Sequence, residues 1–582
     1  MGAKKNPVVD KKEAAIELAE INRQLEEIDN MTDFIDSPLQ LWCGKWKCDE
    51  TGVYKLLPSK NNPELLVRVE ASYQQIMPSG IIENIETGEH RYIISFSIKK
   101  RNSYIWKSIK IEPIICSTKG KIVALSNLGI VVNDNNAKQL VSYISDMLRL
   151  NQDMIPTHKA ISHLGWIGNT FFPYVSNIIF DGDCEQEKIV EAITQKGNYD
   201  TWKEECTKYR KNMAVRLIMD ASFASVLIEK IGGLCFVFHL WGGSGTGKTV
   251  SLIVASSIWG EPDKLYISAD ATQNFITNRA TFMRNIPLFI DETQINKVAV
   301  EKLIYSITEG KPRGRLGRDS REKGNKDWLN TSILTGESPV VNIGSGAGAI
   351  NRVLEIELDG PLFEDFTETL SIVRNNYGYA GKEFVEYIQN SNISNLKDRY
   401  QKVCKMLEKY DSTGKQVQNL AFIILADQIA GECIFKDEKA LDIKNIATFL
   451  KTKNEVSVAE RAYQRTIDWI AANPIKFDNN NAYEVWGKRD KNHVFVNKSI
   501  LSDFLSSNNF DFDSVKREWA EKGFLEKDNC GQFTTLVRVG ESRIRCPKIK
   551  LPDNQNEKGN ESEETDFKQL STDDIVPFVT DE

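Results

Sequence analysis

Histidine is scarce in this chain, and cysteine never falls into a framework. Its 582 residues hold five histidines and ten cysteines, the latter scattered from Cys43 to Cys546. Cys43 and Cys48 form one C-x4-C pair, but no second pair or nearby histidine completes a ligand set, so a structural zinc is not expected. Thiols dispersed this way read as reduced rather than disulfide-linked. Long apolar runs are missing too. No stretch approaches the roughly 20 apolar residues of a membrane span, and the longest candidate, Leu234 to Trp241, runs into a glycine loop. The opening "MGAKKNPVVDKKEAA" has no apolar signal core and no Ser or Thr at its sixth position, which disfavours export and lipidation. A cytoplasmic protein without a membrane partner is expected.

The formal charge of −7 is also unevenly placed. Residues 553–582 carry ten carboxylates against Lys558 and Lys568, more than the whole excess, so the rest of the chain is close to neutral. Basic clusters within that neutral body can still set strong local fields. At this length three or four domains are expected.

The pattern along the chain divides it as follows. Residues 1–35 read as a charged helix. Residues 36–210 mix short β-rich runs with helices, an α+β accessory domain. Between 211 and 362, strand candidates at 234–240, 264–268, 286–290, 328–335 and 352–358 alternate with helical stretches, which predicts a five-stranded, mostly parallel sheet covered on both faces. Residues 363–480 read as a helical lid and connector. Two helices and a hairpin in 485–550 have the outline of a winged helix, and 551–582 is a disordered acidic tail.

The strongest local signal is "HLWGGSGTGKTVS". Gly242, Gly243, Ser244, Gly245, Thr246, Gly247, Lys248 and Thr249 satisfy G-x4-G-K-T between an apolar strand and a helix. Glycines let backbone N–H groups turn toward phosphates, and the helix N-terminus adds partial positive charge. Lys248 suits the β/γ-phosphates of ATP, and the Thr249 hydroxyl suits Mg2+. "IPLFIDE" ends a strand on Asp291 and Glu292: one carboxylate for Mg2+, the second to orient a water, a pairing that implies hydrolysis. "NTSILTGES" ends the next strand at Thr335, where a hydroxyl can meet the γ-phosphate or the water; Glu337 and Asn330 remain alternatives. Arg352 precedes the fifth strand. In a ring of such domains an arginine there reaches the neighbour's nucleotide.

Between these pieces lies "EGKPRGRLGRDSREKGNKDW". Within residues 311–326, Lys311, Arg313, Arg315, Arg318, Arg321, Lys323 and Lys326 face only two acids, and the glycines make it a loop or hairpin. An isolated charge run is usually a solvated surface. Placed just ahead of the Thr335 strand, this one suits gripping nucleic-acid phosphates without reading bases. Arg538, Arg543, Arg545, Lys548 and Lys550 give the C-terminal hairpin a similar bias. Asp181 and Asp183, the one D-x-D in the N-terminal region, read as a turn.

Taken together, "HLWGGSGTGKT", "ATQNF", "PLFIDE", "GKPRGR", "ILTGES" and "NNYGYAG" resemble the AAA+ ATPases. More narrowly, they resemble a family from phages and mobile elements, long catalogued as a domain of unknown function, that includes the MCM-like self-loading replicative helicases of staphylococcal cassette elements. The likeness covers roughly residues 50–435. It implies a P-loop ATPase core and a homohexameric ring hydrolysing ATP with Mg2+ at subunit boundaries. Lys248, Thr249, Asp291 and Glu292 would come from one subunit and Arg352 from the next, with the basic loop drawing single-stranded DNA from a fork. Two departures stand out: no motif marks a second sensor arginine, for which Arg374 and Arg399 are candidates, and no long insertion interrupts the 272–285 helix. The other reading is an initiator or protein-remodelling ATPase that binds DNA without unwinding it. The ending "STDDIVPFVTDE" is similar to the acidic Pro-Phe peptides by which single-strand-binding proteins recruit replication partners, although four residues follow the phenylalanine; solubility is the other role for such a tail.

Overall fold

The structure, a computed structural model, describes residues 30–59, 65–101, 103–293, 300–312, 327–437, 439–478, 484–539 and 542–552. Most of the expected N-terminal helix and nearly all of the acidic tail lie outside these residues. Residues 30–35, expected to close that helix, are instead not helical: Met31 pairs with Trp42 in a β-bridge, and Phe34 enters a core.

The described chain forms two compact units. The first ends at Ser162 and takes in Val175–Cys184. Strands β1 (Lys47–Asp49), β2 (Gly52–Pro58) and β3 (Leu66–Ser72) make a small antiparallel sheet. Next come β4 (Ile76–Asn84), β5 (His90–Lys100), β6 (Ser103–Ile111), helix α1 (Ala137–Leu150), β7 (Thr157–Ile161) and β8 (Ile178–Phe180). Their five strands are ordered β8-β7-β4-β5-β6. On α1, Ala137, Leu140, Tyr143, Ile144 and Met147 recur at helical spacing and are buried, joining Trp46, Ile76 and Phe96 in one core. The Tyr143 hydroxyl donates to the Ile76 carbonyl at 2.7 Å, fixing α1 to β4.

The second unit comprises His163–Tyr174 and the chain from Glu185 onward. The expected accessory-domain boundary at 210 therefore falls inside it. The reason is packing. Helix α2 (Tyr199–Arg210) seats Trp202 with its indole donating to Ser257 Oγ at 2.8 Å, and Arg210 is buried against Asp220 and Asp427. Helix α3 (Met213–Ile231) is buried around its circumference, which explains its lack of amphipathic pattern.

The central sheet follows: β9 (Phe236–Gly242), α4 (Lys248–Ser257), β10 (Tyr266–Ser268), α5 (Gln273–Met283), β11 (Leu288–Asp291), α6 (Val300–Thr308), β12 (Thr331–Gly336) and β13 (Val353–Leu358). All five strands are parallel, in the order β10-β11-β12-β9-β13. Parallel pairing puts the carboxyl ends of β9, β11 and β12 on one edge. Register then decides who meets whom: Ile290 pairs with Leu334 and Leu240 with Thr335, so Asp291 arrives beside Thr335.

Helices α7 (Phe366–Asn375), α8 (Tyr379–Asn390), α9 (Ile393–Leu407) and α10 (Gly414–Ala430) come next. The stretch Gly414–Phe435 is long and apolar enough to cross a membrane, a run the sequence reading passed over, yet 78% of its most apolar window is buried inside the protein. Its Asp427 explains why. That carboxylate receives Arg210 at 2.8 Å and Arg216 at 2.6 Å, a buried ion network that packs the helix as core.

The C-terminal part contains α11 (Val458–Ala472), β14 (Gly487–Arg489), β15 (His493–Val496), α12 (Lys498–Ser507), α13 (Phe512–Glu521), β16 (Leu525–Glu526), the hairpin β17 (Thr535–Val539) and β18 (Ser542–Cys546), and β19 (Lys548–Lys550). Helix α11 falls within the 363–480 stretch whose pattern predicts a lid and connector. It shares a core with α12 and α13 instead: the Trp519 indole donates to the Ala459 carbonyl at 2.8 Å and Tyr463 to the Lys550 carbonyl at 2.7 Å.

Candidate functional site

At the carboxyl edge of the central sheet a cavity of about 310 Å³ lies over the loop between β9 and α4. Ser244, Gly245, Gly247, Lys248 and Thr249 form one wall, Asp291, Glu292 and Glu337 face them, and Phe366 of α7 closes a side. The loop needs its glycines. Gly247 caps α4 at φ +94°, and a Cβ there would stand 2.8 Å from the Phe366 ring and 2.9 Å from the Phe363 ring. Side chains at Gly243 and Gly245 would project into open space, so those positions leave room for a ligand against bare backbone. The Lys248 ammonium donates to the carbonyls of Gly242 at 2.9 Å and Gly243 at 2.6 Å, and the Thr246 hydroxyl donates to Gly243 at 3.0 Å.

Asp291 is the hub. Its carboxylate, nearly buried, accepts from the Thr249 hydroxyl at 3.1 Å, from the Glu292 N–H at 3.0 Å and from the Thr335 hydroxyl. Thr335 is fully buried beneath it. Glu292 sits at φ +63°, a conformation that a side chain with a Cβ adopts only under constraint, and such outliers gather at functional sites. A hydroxyl and a carboxylate at a glycine-lined helix N-terminus are a donor set for an anion with a hard divalent cation.

The other anticipated residues are placed as follows. Glu337 lines the cavity; Asn330 lies at the opposite end of β12, fully buried. Arg352 precedes β13 and so lies at the far end of the sheet from this cavity, its guanidinium 4.9 Å from the Tyr305 ring centroid. Arg374 pairs with Asp263 at 2.9 Å and Arg399 with Glu432 at 2.7 Å, and neither lines the cavity. Lys311 is exposed. Arg313, Arg315, Arg318, Arg321, Lys323 and Lys326 lie outside the described residues; of the residues flanking them, the Trp328 N–H donates to Gly310 at 2.9 Å and its indole to Ile307 at 2.8 Å.

Sequence reasoning missed a second layer. His239, on β9 and fully buried, places Nδ1 3.1 Å from Glu355 on β13 and Nε2 3.4 Å from the Thr293 hydroxyl. Glu355 also accepts the Val340 N–H at 2.7 Å, and Gly336 leaves no room for a Cβ, which would fall 2.0 Å from Thr293 Oγ1. One polar residue inside the apolar run "FVFHLWG" was the available signal, because a fully buried imidazole requires partners.

By fold the chain is a multidomain α/β protein whose second unit is built on a five-stranded parallel sheet. In particular, it is similar to a solved structure described as "SCCmec type IV Cch - active helicase", with a TM-score of 0.64 and 21% identity over 87% of this chain and 97% of that one; at that identity the likeness establishes a shared fold. Another, "The A form apo structure of NrS-1 C terminal region-CTR", aligns over 81% and 95% at 13% identity with a TM-score of 0.32. Residues 46–327 match a domain of unknown function (DUF927), and residues 457–554 match the Cch helix turn helix domain, a span that includes α11. No curated protein matches the chain.

Proposed function

We propose that this chain is an ATP-dependent DNA translocase and helicase of the AAA+ class, acting as a homohexameric ring in the replication of a mobile genetic element or phage. The observation that carries the reading is the meeting of Thr249, Asp291 and Thr335 beside the glycine cradle, with Glu292 held in a constrained conformation next to them. The residues fit ATP and Mg2+: backbone N–H groups of 243–249 and Lys248 would hold the phosphates, and Thr249 with Asp291 would hold the cation. When bound, Mg2+ neutralises phosphate charge. Glu292 orients the attacking water and accepts its proton. Thr335 keeps the Asp291 carboxylate turned toward Thr249. Arg352, remote from its own cavity, serves the neighbouring subunit's nucleotide. Lys311, Arg313, Arg315, Arg318, Arg321 and Lys323 grip the DNA backbone, and β12 links their loop to Thr335.

The test is ATP hydrolysis with and without single-stranded DNA, together with strand displacement on a forked duplex. Neutralising Arg313 and Arg315 should lower the DNA stimulation and reduce the salt slope by about one per lost phosphate contact. Hydrolysis indifferent to DNA at every salt concentration would refute the motor. DNA-stimulated hydrolysis without unwinding would leave the initiator or remodelling reading.

A further inference from the structure

The first unit carries a basic surface that the ATPase reading does not use. Strands β5 and β6 form a long hairpin with pairs running from Tyr92–Ile111 to Lys100–Ser103. Strand β4 accompanies β5 only between Glu83–His90 and Ile76–Phe96. The rungs Lys99–Tyr104 and Lys100–Ser103 therefore extend beyond the sheet as a two-stranded ribbon. Residues 98–111 contain Lys99, Lys100, Arg101, Lys107 and Lys110 and no acid until Glu112. Lys99, Lys100 and Arg101 are exposed, and among the described residues no carboxylate pairs with them. Tyr104 stands half-buried with the Lys99 ammonium 5.5 Å from its ring centroid.

The turn supplies a separate observation. Arg101, the residue directly after β5, adopts φ +47°. The left-handed region favours Asn, Asp or Gly, because a Cβ is crowded there. An arginine held in the left-handed region, at the tip of a ribbon with two lysines beside it, works against local turn preference. The charge is what the position gains.

We propose that the tip formed by Lys99, Lys100 and Arg101 binds the phosphate backbone of duplex DNA, with the ribbon entering a groove. The major groove admits a two-stranded ribbon, whereas a narrow basic channel would suit single strands better. The contact is independent of hydrolysis. It gives the first unit a hold on duplex that the motor reading does not assign.

The experiment uses the full-length chain without nucleotide and follows fluorescence anisotropy of a short labelled duplex and of a single strand of the same length. At about 0.9 counterion per phosphate contact, three contacts make wild-type duplex affinity fall about 40-fold more between 50 and 200 mM salt than that of Lys99→Gln/Lys100→Gln/Arg101→Gln. Single-strand binding should change much less. Arg101→Gly separates charge from folding: it relieves the turn, so the melting temperature holds or rises, while the duplex salt slope drops by about one. Both variants should keep wild-type ATPase in the absence of DNA, so this surface and the nucleotide site are judged apart. An unchanged duplex slope in the triple variant overturns the proposal, and that is the result expected if the tip instead meets an acidic protein segment. Equal losses on duplex and single strand overturn it as well.

Discussion

Replacing Thr335 with valine would remove one hydroxyl and keep the shape of the side chain. Among the described residues Asp291 would then lose one of three donors, retaining the Thr249 hydroxyl at 3.1 Å and the Glu292 N–H at 3.0 Å. A hydrogen bond to a charged group contributes about 1.5–3 kcal/mol. Because Thr335 is fully buried, water cannot replace the missing hydroxyl. If the carboxylate's orientation matters mainly while the phosphate is cleaved, the loss appears in turnover as roughly 10- to 150-fold, at about 1.36 kcal/mol per decade. The assay is steady-state hydrolysis at saturating ATP across a Mg2+ titration, with a thermal melt of each variant. Thr335→Val should turn over slowly and need more Mg2+, and Thr335→Ser should restore most of both. A valine variant indistinguishable from wild type in turnover and Mg2+ midpoint would show that Asp291 is held without Thr335, and the reasoning would fail.

Gly247→Ala should abolish nucleotide binding in titration calorimetry: φ +94° costs a Cβ-bearing residue about 1–2 kcal/mol, and the methyl would displace the Phe363 and Phe366 rings. Arg210→Ala leaves the buried Asp220 and Asp427 short of a cation, so the second unit should lose about 3–5 kcal/mol and melt earlier while the first is unaffected. Thiol labelling of the native chain should be fast at the exposed Cys184 and Cys530; Cys116 and Cys235 should resist until denatured, because burial pushes their thiols up to about 12.

The two compact units and the helix-turn-helix match place boundaries where composition did not. Tyr199–Arg210 looks like a helix in any reading, but its assignment depends on Trp202 finding Ser257 and Arg210 finding two aspartates far along the chain. Helix α11 likewise shows a helical pattern in sequence, and only the contact of Trp519 with Ala459 assigns it to the C-terminal core.

What the sequence determined alone is whatever nearest neighbours dictate. Each of the five sheet strands overlaps its anticipated window, since apolar runs bounded by turns have few alternatives. Gly242–Thr249 and Asp291–Glu292 were legible because each group's chemistry lies in consecutive residues. Tertiary structure decided the rest. It brought Thr249, Asp291 and Thr335 to one point, separated Asn330 from Glu337 by the length of a strand, and engaged Arg374 and Arg399 in ion pairs elsewhere. It also joined His239 to Glu355 and Thr293. These arrangements depend on strand order and register between segments tens of residues apart, and no local propensity encodes which strands become neighbours; the packing of the whole sheet selects them.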